Sequence, residues 1–133
     1  MQISDAESVV MEVLWAGSPR TAEEVIEVLS STQHWQEPTI KTLLNRLLKK
    51  GAIEADRDGR RYLYTPLLRR EDWVRVQSSS LLERLFGGRL APLVAQFQQD
   101  GGLSREDIAA LRALLDQADR ADQTPKAATP RKR

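Results

Sequence analysis

Between Ile40 and Tyr64 the apolar residues change their spacing once, and that change limits what the chain can become. Ile40, Leu43, Leu44, Leu47 and Leu48 recur at helical spacing, the pattern of a helix buried along one side. Gly51 interrupts the run as a natural helix stop, because it enters the left-handed region without strain. Beyond it, "AIEADRDGRRYLYTP" reads as two strands about a turn, and Asp58–Gly59 favours a type I′ hairpin. Ile53, Leu63 and Ala55 are expected to face inward, with Tyr62 and Tyr64 on the other side of their strand.

Two helices precede this segment. Ser4 and Glu7 form a capping box, in which each side chain satisfies the other's backbone N–H, so a helix is expected over about Asp5–Trp15. Its apolar positions are Ala6, Val9, Val10, Val13 and Leu14, and Gly17 ends it. Thr21 and Glu24 form a second box for a helix over about Ala22–Ser30, with Ala22, Val25, Ile26 and Leu29 as its buried stripe. Pro38 suits the first position of the third helix, where its missing N–H costs nothing. Three short helices and a hairpin, in that order, are a winged helix-turn-helix.

Past Pro66 the pattern changes. A helix over about Glu71–Phe86 carries Trp73, Leu82, Leu85 and Phe86. "RLAPLVAQF" makes a shorter one with Leu93 and Phe97, and Ser104 caps a last one with Ile108, Leu111 and Leu115 on one face. Such short amphipathic helices, separated by glycines, bury little by themselves, so a second copy is expected to cover these stripes. The expected fold is therefore mainly α with a small β-hairpin wing. Residues 1–70 form the winged-helix domain, 71–119 a helical dimerisation domain, and 120–133 a disordered basic tail.

Charge is distributed unevenly. Residues 1–37 hold one base, Arg20, against seven acids, whereas residues 38–70 hold nine bases against Glu54, Asp56 and Asp58. Reversal within one small domain suggests a polarised face, the electrostatic footprint of a nucleic-acid binder; the plainer reading is a solvated helix with mixed charge. At 100° per residue, Thr42, Asn45, Arg46 and Lys49 lie opposite the apolar stripe of the third helix, with Lys41 and Lys50 flanking. Thr39, Lys41, Thr42, Asn45 and Arg46 occupy the part of a recognition helix that enters the major groove. Thr42 and Asn45 suit base edges, Arg46 suits a base or a phosphate, and Lys41, Lys49 and Lys50 suit phosphates. Arg57, Arg60 and Arg61 cluster at the hairpin tip as a wing beside the neighbouring backbone or minor groove. Without a ligand, Arg60 and Arg61 would be solvated turn residues, one paired with Asp58, and Lys49–Lys50 would be favourable charge at a helix C-terminus.

Other chemistry is scarce. Cysteine is absent, which excludes disulfides, thiolate metal sites and cysteine nucleophiles. His34 is the sole histidine and reads as a loop or buried side chain, so no metal is expected. There is no Ser/His/Asp set, phosphate-cradling glycine loop or metalloprotease helix, hence no expected enzyme activity or cofactor. No apolar run is long enough to span a membrane and the N-terminus lacks a secretory pattern, so a cytoplasmic protein is expected.

In order and spacing, "ISDAE", "VMEVLW", "TAEEV", "TIKTLLNRLLKKG" and "GRRYLYTPL" resemble the penicillinase-repressor family of BlaI and MecI, to which the copper-responsive CopY also belongs. The resemblance implies a dimeric winged-helix repressor on a dyad-symmetric operator, with double-stranded DNA and a second copy as partners. It also implies an upstream membrane sensor-protease system that triggers cleavage at an Asn–Phe bond. "PLVAQFQQDGGLS" puts Gln96–Phe97 at the matching bond, with Gln in place of Asn; the plainer reading is that Leu93, Val94 and Phe97 are core or dimer contacts. The family commonly has W-S-P-K-T-I where this chain has "WQEPTI", which brings Glu37 near where phosphate would lie. The cysteine-rich copper motif is missing. Two other readings use the same fold: a ligand-gated regulator, and a protein–protein adaptor without DNA binding.

Overall fold

The structure, a computed structural model, describes residues 1–123. Helix α1 (Asp5–Ala16) starts at the expected box: the Glu7 N–H donates to Ser4 Oγ at 3.1 Å and the Ser4 N–H to Glu7 Oε1 at 2.7 Å. A short strand β1 (Arg20–Thr21) follows, and Thr21 also caps α2 (Ala22–Thr32) through the second box with Glu24. The turn into α3 (Glu37–Lys50) passes through His34, an exposed residue at φ 61°, a region histidine tolerates better than most side chains. Pro38 occupies the second helical position rather than the first, because Gln36 is the N-cap. Gly51 closes α3 at φ 78°.

Strands β2 (Ile53–Asp58) and β3 (Arg61–Pro66) form the hairpin, and β1 pairs with the far edge of β3, giving an antiparallel sheet in the order β1-β3-β2. Asp58 pairs with Arg61, so the two loop residues are Gly59 and Arg60, one position later than the expected Asp58–Gly59. Gly59 has φ 65° while Arg60 does not share the positive φ that a type I′ turn needs at both positions; glycine first is the type II′ pattern. Inward facing also differs from expectation. Ile53 pairs with Pro66 and Ala55 with Tyr64, so Tyr64 shares their face and packs on the core. Leu63 pairs with Asp56 and Thr21 on the opposite face.

Contacts divide the chain into two units, Met1–Ser79 and a second from Ser80 onward. The first is built around Val10, Met11 and Leu14 of α1, Val25 and Leu29 of α2, Ile40, Leu43, Leu44 and Leu47 of α3, and Ala52 and Ile53. Each large side chain so buried contributes about 1.5–3 kcal/mol, enough in sum to hold three helices against a small sheet. Long-range ties help close the unit, Arg70 with Glu12 among them. Trp15 Nε1 donates to the Leu68 carbonyl at 2.9 Å, and Lys50 Nζ donates to Gln2 O and pairs with Glu7, which is 1% exposed. Burial pushes the Glu7 carboxyl up, but the Lys50 ammonium and the Ser4 N–H outweigh it and leave the group below the ordinary carboxylate range.

Helix α4 (Arg70–Phe86) begins in the first unit, where Trp73 stacks on Trp15 with ring centroids 5.5 Å apart. Trp73, grouped in sequence with the faces expected to meet a second copy, is half-buried beside Trp15 of its own chain. The second unit holds the end of α4, then α5 (Leu90–Gln99) and α6 (Arg105–Gln123). Ser104 Oγ accepts the Asp107 N–H at 3.0 Å, the expected cap of α6. From Ser80 onward no described residue is buried. Leu85, Phe97 and Leu115 are 62%, 52% and 61% exposed, and Leu82, Phe86, Leu93 and Leu111 are only part-covered, with Ile108 exposed. Of the tail expected over 120–133, residues 120–123 end α6, and the rest lies outside the described residues.

Candidate nucleic-acid interface

Helix α3 carries four buried side chains on one side, so its other side must face solvent. Thr39, Lys41, Thr42, Asn45, Arg46 and Lys49 are all exposed there. Thr42 Oγ1 donates to the Pro38 carbonyl at 2.9 Å, which leaves its oxygen lone pairs free to accept. Pro38, Thr39, Thr42, Leu43 and Arg46 border one shallow hollow; Ala22, Lys41, Leu44, Asn45 and Tyr64 border another. Both are flanks of one ridge that presents hydroxyl, amide and guanidinium groups in a row.

The cations of the ridge are not equivalent. Arg46 and Lys49 form no ion pair among the described residues. Lys41 Nζ lies 2.9 Å from Glu37 Oε2, and that hydrogen bond, with the carboxylate's charge, raises the lysine pKa above its ordinary value. Lys50, offered by sequence as a phosphate contact, is instead committed to buried Glu7. A residue at the C-terminal end of α3 reaches back to the first turn of α1, and only the tertiary fold makes that visible.

On the wing, Arg57 Nε donates to the Gly59 carbonyl at 3.2 Å and its guanidinium sits 5.8 Å from the Tyr62 ring centroid. Arg61 pairs with Asp58 at 3.1 Å, an exposed contact worth little. Arg60, second in the two-residue loop, has neither kind of partner among the described residues and is the free cation of the tip. The sequence missed Tyr64, which lies beside Lys41 and Asn45, because its strand face was assigned by residue type. It missed β1 as well, since two residues carry no periodicity. Among the described residues, no three His, Cys, Asp or Glu groups lie close enough to hold a metal, and no helix is long and apolar enough to cross a membrane.

The arrangement is an exposed polar, cationic helix with a cationic hairpin in the same small unit. The penicillinase repressor family model matches residues 3–117. The chain is 42% identical to the penicillinase repressor of Bacillus licheniformis over 116 residues, covering 87% of this chain and 91% of that one. It is 32% identical to the methicillin resistance regulatory protein MecI of Staphylococcus aureus strain N315 over 114 residues, 86% of this chain and 93% of that one. The solution structure of the DNA-binding domain of the repressor BlaI matches with a TM-score of 0.50 at 48% identity, over 53% of this chain and 87% of that one. The chain belongs to the penicillinase repressor family of BlaI and MecI, a family of repressors and not of enzymes.

Proposed function

We propose that this chain is a homodimeric transcriptional repressor that grips a dyad-symmetric operator through α3 and the wing. The observation that carries the DNA reading is the α3 face, where Thr42, Asn45, Arg46 and Lys49 stand exposed in one row, with the exposed Arg60 on the hairpin tip of the same unit. The name of the Bacillus licheniformis relative, a penicillinase repressor, supports the same role. Thr42 and Asn45 read base edges, Arg46 pairs with a guanine, and Lys49, Arg57 and Arg60 meet phosphates. Repression is steric, since a dimer on a promoter excludes polymerase. If those three cations of both protomers each neutralise one phosphate, binding falls about 10³-fold between 50 and 200 mM salt.

Arg46→Ala is expected to cost about 1–3 kcal/mol of operator affinity and to relax preference at one symmetric base pair. Binding measured against operators substituted base by base checks this; a uniform loss across sequences would make Arg46 a phosphate contact. No DNA binding by the unaltered chain, even at low salt, would move the function to the adaptor reading.

Dimerisation is assigned to the second unit because its apolar residues are left exposed or only part-covered in one protomer. Leu82, Leu85 and Phe86 of α4, Leu93 and Phe97 of α5, and Ile108, Leu111 and Leu115 of α6 are the proposed contacts. Relief by proteolysis is proposed at Gln96–Phe97, in the last turns of α5 just before Gly101, where Gln96 and Phe97 are exposed. A membrane sensor-protease system would act upstream. Immunoblots of cells whose target genes have just been induced should contain two fragments cut there. Full-length repressor alone under the same induction would eliminate this route.

A further inference from the structure

The N-terminal turn of α3 is built unlike a phosphate clamp. Helix N-termini attract phosphate through free N–H groups and the positive end of the dipole. Here the second helical residue is Pro38, with no N–H, the first is Glu37, and Gln36 gives no side-chain cap. Glu37 then reaches one turn along to hold Lys41. Glu23 and Glu27 border the same open depression between α2 and α3 as Glu37 and Lys41, so the lysine that Glu37 holds lies on an acidic flank. Arg46 and Lys49, elsewhere on the exposed face, have no such partner among the described residues.

We propose that Glu37 is a built-in competitor for the DNA backbone: it neutralises Lys41 and withholds the α2-side flank of α3 from phosphate, so that the helix docks through Arg46 and Lys49. The inference rests on the operator-binding reading above. The pair itself is exposed and weak, so a phosphate can draw Lys41 away. Doing so leaves the Glu37 carboxylate unpaired beside that phosphate. In either geometry the pair delivers no net positive charge, and one phosphate contact per protomer is lost. The device sets general affinity for duplex DNA below what the lysine and arginine content of the face allows. Base contacts then carry a larger share of binding.

The test compares the full chain, Glu37→Gln, Lys41→Gln and the double variant, each titrated against a labelled duplex of arbitrary sequence across a salt series. Freeing Lys41 adds one neutralised phosphate per protomer, so Glu37→Gln should steepen the log–log salt slope by about 0.9 per protomer. At 0.1 M salt that is roughly an eightfold gain per protomer, if the proteins are equal at 1 M. Lys41→Gln should keep the slope of the unaltered chain but bind more weakly, because Glu37 is then unpaired, and the double variant, again without net charge there, should match the unaltered chain. An unchanged slope in Glu37→Gln, with an unchanged thermal midpoint, overturns the proposal. So does a slope that becomes shallower by about 0.9 per protomer in Lys41→Gln, which would mean the lysine already grips phosphate. If the unaltered chain shows no salt-dependent DNA binding, the operator reading itself fails, an outcome separate from either of these.

Discussion

A chain cut after Ser79 is expected to bind a two-half-site operator about 10²–10⁴-fold more weakly than the full chain. The reason lies in the contrast between the units. The first has a continuous buried core from α1, α2, α3 and the hairpin, and it should fold without the second. The second has no buried residue among those described, and the role proposed for it is to join two copies. Joining turns the second half-site encounter into an intramolecular one, and that advantage disappears with α5 and α6. Where the cut falls matters. Stopping near residue 70 would also remove Trp73 and uncover Trp15, mixing a folding defect with loss of dimerisation. Sedimentation of the cut chain should give a monomer with an intact thermal transition, and filter or fluorescence titration should give the affinity loss. A cut chain that binds as tightly as the full one would remove dimerisation from the second unit.

Lys50→Met is expected to destabilise the first unit by about 2–3 kcal/mol at neutral pH. Removing one partner of a fully buried pair typically costs about 3–5 kcal/mol, because the other charge is left without compensation. Here Glu7 is buried but Lys50 is about one-third exposed, at 36%, so water already screens part of the interaction and the lower figure applies. The pH dependence follows from the direction of the Glu7 shift. In the native chain its carboxyl is held below the ordinary value, so the stabilisation is present above that value and is lost as pH falls through the folded one. In Lys50→Met the ammonium no longer opposes burial, and the carboxyl titrates upward instead. Acid then relieves the variant while it weakens the native chain, so their stabilities should converge as pH falls. Urea unfolding at neutral and acid pH measures both. Glu7→Gln with Lys50→Met keeps an acceptor for the Ser4 N–H and removes the stranded charge, so it should return within about 1 kcal/mol of the native chain. A constant deficit at all pH values would rule out the charge as its cause.

What could be read from the chain was local. Both capping boxes, the stripe of α3 and the Gly51 stop are encoded within a few residues of where they act, and the structure has them all. The exposed face of α3 was legible for the same reason, since a 3.6-residue repeat fixes which side chains oppose the buried ones. Pairings over long sequence separation were not legible. Lys50 and Glu7 are far apart in the chain and meet only because α1 and α3 pack together, so a lysine at a helix end looked like a phosphate contact. The contact between Trp15 and Trp73, far apart in the chain, was hidden in the same way. In the hairpin, residue type assigned Leu63 inward, whereas antiparallel pairing puts Tyr64 with Ala55 and Ile53. Side-chain parity decides the face of a strand, and hydrophobicity does not override it. The Glu37–Lys41 contact was within reach, being one helical turn apart, but its weight depended on Glu23 and Glu27 lining the same depression.

The most direct test of the central claim is selection of bound duplexes from a random DNA pool by the full chain, at low and at physiological salt. A dyad-symmetric motif with half-sites about one helical turn apart, or a multiple of it, is the expected result. Recovery of a single half-site without symmetry, or of no motif at either salt, would contradict a homodimeric operator-binding repressor.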